Sequence, residues 1–279
     1  MRKVRLFDVN LRKLYCEVFS IFSTFLGIFA FIIDNNVFKE NVFCLVSFVF
    51  IFLIVIYFIL WIWVSKWKSI NINIENTTIS IITGDIFKQD GLKVIAFNEY
   101  FDTQVDDTII SKQSLNGIFI KERVFNVDKL NKHIETYPFN KEDILDENTN
   151  RIFGKTKRYK IGTVCLYNDY ILTAFSKFNE RNQAYLTMPE YLGFLIKFWD
   201  EINVVYSQKS VSVPIFGSGI TRIREHKNIT DEELLKIMLW TFKISETRFK
   251  YPAKLTIVIH PEKIDQINLF EIKSMQNGI

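Results

Sequence analysis

Two blocks of the chain are apolar almost without interruption, and the rest alternates between apolar and polar positions. From Val42 to Val64 the sequence reads VFCLVSFVFIFLIVIYFILWIWV, 23 residues with no charge, Pro or Gly. As a helix rising about 1.5 Å per residue, it reaches roughly 34 Å, enough to cross a hydrocarbon core of about 30 Å. Eighteen of the 23 are Ile, Leu, Phe or Val, each favouring the bilayer centre by about 0.3–0.6 kcal/mol. An earlier block, Leu14 to Ile33 (LYCEVFSIFSTFLGIFAFII), has 20 residues and one charge, Glu17, near its start. A carboxylate there can reach headgroups or pair with Lys13 four residues earlier. A basic start before an apolar block also begins a secretory signal, but no small-x-small cleavage site follows this one. The pattern predicts a basic N-terminus, 1–13, and two spanning helices, 14–33 and 42–64.

The flanks orient this pair. Arg2, Lys3, Arg5, Arg12 and Lys13 precede the first block and Lys66 and Lys68 follow the second, whereas the connection DNNVFKEN holds one basic residue, Lys39. Positive charge collects on the cytoplasmic side, so both termini are expected inside and the short connection outside. Trp61, Trp63 and Trp67 fall at the inner headgroups. A multi-pass protein of the inner (plasma) membrane follows, with residues 65–279 as a cytoplasmic domain.

In that domain Ser69–Glu75 and Thr77–Thr83 alternate, with Asn76 between them as a turn, and read as two strands. Leu92–Phe97 is a short apolar run ending at Asn98, and Asp128–Thr136 has helical spacing. Tyr159–Tyr167 and Tyr170–Ser176 flank Asn168-Asp169, a hairpin signal. Pro189–Tyr206 reads as a helix with Leu192, Leu195, Ile196 and Trp199 on one face. Ser210–Phe216 is a strand running into Gly217-Ser218-Gly219. Thr230 with Glu233 three residues on forms a capping box for a helix with Leu234, Ile237, Met238 and Leu239 on its apolar face. Lys254–Ile259 is a last buried strand. Strands alternating with helices predict an α/β layer fold with a mixed sheet.

Composition narrows the function classes. Hydrophobic residues make up 48% of the chain, which excludes a disordered protein. Three cysteines, two of them in the apolar blocks, give no disulfide framework or four-cysteine zinc site. Three histidines without ligand spacing argue against a transition-metal enzyme, and a net charge of +4 gives no footprint for nucleic acid.

The succession GDIF, VIAFNEYFDT and VPIFGSGITR resembles a macro domain over about Ile70 to Lys273. The segment YILTAFSKFNERNQAYLTMPEYLGFLIKFWDEI, the GSGITRI loop and the two preceding apolar helices are similar to one subfamily, the transmembrane macro-domain effectors of type II Thoeris antiphage defence, a ThsA-like family. The resemblance implies a three-layer α/β domain that binds an ADP-ribose derivative. Carried over, Asp85 and Ile86 would meet the adenine, Asn98 the distal ribose, and Gly217, Ser218, Gly219 and Ile220 the diphosphate, with Arg222 or Arg224 adding charge. The residues also allow simpler roles: Asp85 capping the next turn, Asn98 ending a strand, and the glycine loop acting only as a connection.

The glycine loop has a physical case of its own, because two glycines around a serine can turn backbone N–H groups onto an anion without Cβ obstruction. One departure from macro domains stands out. After Asn98 the chain reads Glu99-Tyr100-Phe101-Asp102-Thr103-Gln104-Val105-Asp106-Asp107, acidic and without a glycine. Such a loop cannot wrap backbone closely around a ribose and its catalytic water, so no catalytic residue is assigned and a receptor is expected rather than an enzyme. Glu99, Asp102, Asp106 and Asp107 would instead suit a cationic group at the ligand's distal end, or else form a solvated loop that never meets the ligand. The resemblance further implies a partner TIR-domain enzyme, a histidine–ADP-ribose signal, homo-oligomerisation and disruption of the lipid bilayer in abortive infection. A membrane-tethered ADP-ribosyl hydrolase or deacylase is the alternative. No cofactor or metal is expected.

Overall fold

The computed structural model describes residues 4–32, 35–74, 77–226, 228–245 and 253–277. Arg2, Lys3, Ile33, Asp34, Glu75 and Asn76, which entered the expectations above, lie outside them. In chain order, α1 spans Val9–Ile32, α2 Asn35–Ser65, β1 Ser69–Ile74, β2 Thr77–Thr83, β3 Leu92–Asn98, α3 Leu115–Glu122, α4 Val127–Thr136, β4 Val164–Tyr167, β5 Tyr170–Phe178, β6 Ala184–Leu186, α5 Met188–Val205, β7 Val211–Pro214, β8 Arg222–Ile223, α6 Asp231–Ile244, β9 Leu255–Ile259 and α7 Leu269–Ser274. Two units separate: residues 4–68 with 267–277, and residues 69–266.

In the helical unit, Asp8 opens α1 by accepting from the amides of Asn10 and Leu11 at 2.8 and 3.2 Å. Ring contacts of Tyr15 with Tyr57 (5.2 Å) and Phe22 with Phe52 (5.1 Å) set α1 and α2 side by side in opposite directions. The Tyr57 hydroxyl donates to the Leu6 carbonyl, and Trp61 Nε1 to that of Val4 at 3.0 Å. Val4, Leu11, Val64 and Phe270 form a small buried cluster, so α7, expected in the α/β domain, belongs with the N-terminal helices.

One expectation changes here, and the spans are found in part. The connection read at 34–41 is helical from Asn35 onward, because a fall in hydropathy marks a membrane boundary and not a helix boundary. Among the described residues, one helical stretch is long and apolar enough to cross a membrane, Val46–Ser65, with a mean hydropathy of 2.8.

The second unit is a nine-stranded sheet in the order β1-β2-β9-β7-β3-β5-β6-β8, with β4 added to β5. Strands β2, β9, β7, β3 and β5 are parallel. Strand β1 closes one edge antiparallel to β2, Ser69 facing Ile82, and β4 is antiparallel to β5, Val164 facing Thr173. Asn168, at φ 53°, makes the tight turn between β4 and β5 that Asn-Asp predicted. Beyond Phe97 the β3–β5 register shifts, so Phe97 faces Ala174 and Asn98 faces Ser176.

Helix α5 begins at a capping box of Thr187 and Glu190 with Pro189 in its first turn. It buries Tyr191, Phe194, Leu195, Phe198, Trp199 and Ile202. The expected face is thus rotated: Ile196 is exposed and Leu192 half-buried. Helix α6 starts at the predicted Thr230–Glu233 box. It buries Leu234, Leu235, Met238, Leu239 and Phe242, with Ile237 half-buried. A separate aromatic core of Phe97, Phe101, Phe119, Tyr159 and neighbours lies under α3 and α4. Helix α3 and strands β6 and β8 were not anticipated.

Candidate functional site

Because five strands run parallel, their C-terminal ends share one edge, where open α/β sheets hold their ligands. Gly84-Asp85 leaves β2 there, Asn98-Glu99 leaves β3, and residues 215–221 leave β7. The next strand, β8, lies beyond β3, β5 and β6 in the sheet order, so this connection runs along the edge past the ends of β3 and β5. The sheet therefore gathers Asp85, Asn98 and the glycine loop, far apart in sequence.

The loop is anchored from below. Phe216 is buried against Phe175, Phe194 and Phe198, and its carbonyl accepts from the Tyr191 hydroxyl at 3.0 Å. Gly217 sits at φ 86°, the left-handed region that side chains disfavour. Gly219 is different, having an ordinary φ and open space where a Cβ would stand. The Ser218 amide donates to the Ile215 carbonyl at 3.3 Å. It closes the turn and is not a free donor, which corrects its expected role. The amides of Gly217, Gly219 and Ile220 have no hydrogen-bond partner among the described residues. Arg222 lies on β8, solvent-exposed, across from Tyr185 of β6.

Asp85 does cap the following turn: its Oδ1 accepts from the Phe87 amide at 2.9 Å, and its carbonyl from Gln89 Nε2 at 3.0 Å. Its other carboxylate oxygen has no partner among the described residues and remains available to a donor. The Ile86 side chain is buried, so only its backbone is offered to the edge.

The end of β3 departs most from expectation. The Asn98 carboxamide is turned onto its own chain, Oδ1 accepting from the amides of Tyr100 (3.0 Å) and Asp102 (3.2 Å) and Nδ2 donating to Asp102 Oδ2 (2.9 Å). Asp102 is 1% exposed and gripped at both oxygens by Arg151, Nη2 to Oδ2 at 2.6 Å and Nη1 to Oδ1 at 3.1 Å. The Lys155 amide adds a third donor at 2.8 Å. Asp102 is therefore neutralised inside the protein and is not a receptor for a ligand cation. Asp106 is exposed and spent on its own loop, accepting from the amides of Thr108 and Ile109 and from Gln104. The Ile109 amide, above all, holds its carboxyl below the usual range.

Glu99 remains. It is 4% exposed, and Oε1 accepts from the Phe178 amide at 3.2 Å. Burial pushes its carboxyl up, against the Phe178 bond and the positive charges of Arg158, Lys177 and Arg151.

Arg151, Lys155 and Asn148, which build this end of the site, were not foreseen. Arg151 lies 49 positions from Asp102, and no local pattern links them. The one signal was charge: an acidic loop near the core needs counter-cations, and the segment between α4 and β4 is rich in Lys and Arg. The Cys165 thiol is pushed up to about 12 by burial, which makes it no nucleophile. A cavity of about 600 Å³ bordered by Met188, Glu225, His226, Ile229 and Glu233 contains none of these residues.

A mixed sheet with a gathered C-terminal edge and an amide-bearing loop is the layout of a macro-type α/β domain. The sequence profile described as Thoeris protein ThsA, Macro domain, matches residues 79–260. A Thoeris protein ThsA from Bacillus amyloliquefaciens (strain Y2) is 41% identical over 215 residues, covering 76% of this chain and 72% of that protein. The chain belongs to the Thoeris ThsA family and carries its macro domain. Among solved structures, the Oceanobacillus iheyensis macrodomain mutant N30A aligns over 76% of this chain and 95% of its own, at 16% identity and a TM-score of 0.48. The mutant G37V with ADPR from the same organism aligns over 76% and 97%, at 16% identity and a TM-score of 0.43.

Proposed function

We propose that the protein is a membrane-anchored receptor of antiphage defence whose macro domain captures an ADP-ribose derivative. The observation that carries this is the joining at one strand edge of an available Asp85 oxygen and the open amides of Gly217, Gly219 and Ile220. An acceptor for an exocyclic amine beside donors for a diphosphate is the polarity that ADP-ribose requires. The ligand we favour is histidine–ADP-ribose made by a partner TIR-domain enzyme, with Glu99 beside its distal end. Helices α1 and α2 act as a two-span hairpin in the inner membrane, with both termini cytoplasmic, and ligand capture drives homo-oligomerisation that disrupts the bilayer. Sensing fits better than turnover, because the turn after Asn98 is closed by side chains and offers no glycine-lined space for a catalytic water.

The test uses the full chain in detergent micelles and in liposomes. Calorimetry with ADP-ribose and its histidine conjugate should show saturable binding, and the bound ligand should release dye from the liposomes. Binding without release would sink the membrane step; conversion of the ligand would favour the hydrolase; absence of binding would overturn the receptor.

A further inference from the structure

The turn at the end of β3 contains a backbone arrangement that its own residues disfavour. Phe101 is fully buried yet sits at φ 48°, left-handed, where a bulky side chain is strained. Such a residue persists only when its surroundings over-determine it. The Phe101 ring packs against Phe97, Phe139 and Tyr159, and the polar hold on the turn comes largely from one segment, residues 145–158, which folds back on itself through Leu145 N to Arg158 O (2.9 Å) and Asn148 N to Thr156 O (2.9 Å).

That segment holds the turn at four points. Arg151 grips both oxygens of Asp102 and stacks 3.8 Å over the Tyr100 ring. Its guanidinium also donates to the Lys155 carbonyl at 2.6 Å and to Asn182 at 3.2 Å. Lys155 Nζ donates to the carbonyl of Phe101 itself at 2.8 Å. Asn148 Nδ2 donates to the Tyr100 hydroxyl at 2.9 Å. Tyr159 N, just beyond, donates to the Glu99 carbonyl at 2.8 Å.

We propose that Arg151 is a positioning residue of the ligand site: by clamping Asp102 it fixes the Glu99–Asp102 turn, and so aims Glu99 as the acceptor for an amine or hydroxyl donor at the ligand's distal end. This rests on the receptor reading above. Where a glycine would allow the left-handed turn freely, this chain holds it with a buried fork. The clamp also cancels the Asp102 charge, which leaves Glu99 as the buried carboxylate that discriminates between ligands. Its raised pKa is consistent with a carboxylate still awaiting a donor.

The test measures affinities of the full chain in micelles for two probes, ADP-ribose and its histidine conjugate, and reads their ratio. Glu99→Gln should weaken the conjugate about tenfold or more while changing ADP-ribose less than about threefold. The pair Arg151→Met with Asp102→Asn removes the clamp without stranding a charge, and should reproduce that change in ratio. Adding Glu99→Gln to that pair should cost nothing further, since Glu99 is already mis-aimed. Arg151→Lys keeps the charge but not the fork; it should shift the ratio the same way by less, and decides the matter if the double variant does not fold. An unchanged ratio in the clamp variants, or losses that add to those of Glu99→Gln, would overturn the positioning role while leaving the receptor intact. Failure of the native chain to bind either probe would overturn both.

Discussion

The two glycines of the 217–220 loop should fail in opposite ways when given a side chain. At Gly217, φ 86° makes any L-residue strained by about 1–2 kcal/mol, while the new Cβ would find only ordinary contact, 3.4 Å from Leu234 Cδ1. Gly217→Ala should therefore lower stability by about that amount. At Gly219 the backbone is unstrained and a Cβ meets nothing within 4 Å, so Gly219→Ala should leave stability within about 0.5 kcal/mol. Its effect belongs to the ligand. A methyl beside an amide that approaches a phosphate oxygen removes one charge-assisted hydrogen bond, about 1.5–3 kcal/mol, or one to two decades of affinity. Gly219→Glu adds like charge and should lose more. Thermal unfolding followed by calorimetry with ADP-ribose reads both effects on the same samples. If Gly219→Ala and Gly219→Glu both bind ADP-ribose within about twofold of the native chain, the diphosphate does not sit on this loop and the site assignment fails.

Two further outcomes follow. Lys155 is lowered from 10.5 to about 8, by burial first and against the pull of Asp102. The unfolded chain then holds more protons between pH 8 and 10.5, so stability should rise with pH across that window and be flat below it, by up to about 3 kcal/mol. Urea midpoints of native and Lys155→Met chains over pH 7–10.5 should differ in that rise, and parallel curves would refute the depressed pKa. A fragment of residues 69–266 should be soluble and bind ligand without causing leakage, whereas one of residues 69–279 should aggregate more readily because Phe270 loses Val4, Leu11, Val64 and Trp67. Light scattering compares the two, and equal behaviour would show that α7 does not need its partners.

What could be read from the sequence was local. Thr230 with Glu233, and Asn168-Asp169 between alternating runs, fix a cap and a turn within four residues, and both formed as read. The phase of α5 was not readable, because Tyr191, Leu192, Phe194, Leu195, Ile196 and Phe198 are apolar almost all round and only the neighbouring sheet selects a side. Helix α3, with a glycine inside eight residues, and β6 and β8, of three and two residues, are too short for periodicity to register. Within the site, the loop glycines were visible as composition, yet the engagement of the Ser218 amide was not. The acidic run was visible as four carboxylates, but three of them are tied down by bonds that only the folded chain creates. Asp102 is the clearest case, since its partner is brought in by a segment that has no regular structure to detect.

The chain leaves the helical unit at Lys68 and re-enters it at Ile267, so the α/β domain is spliced between two covalent ties. Domains that follow one another along a chain are parted by a single break, whereas an inserted one stays joined after it. A cut of the backbone at either crossing would therefore leave the α/β domain held by the other, without touching a residue of the candidate site.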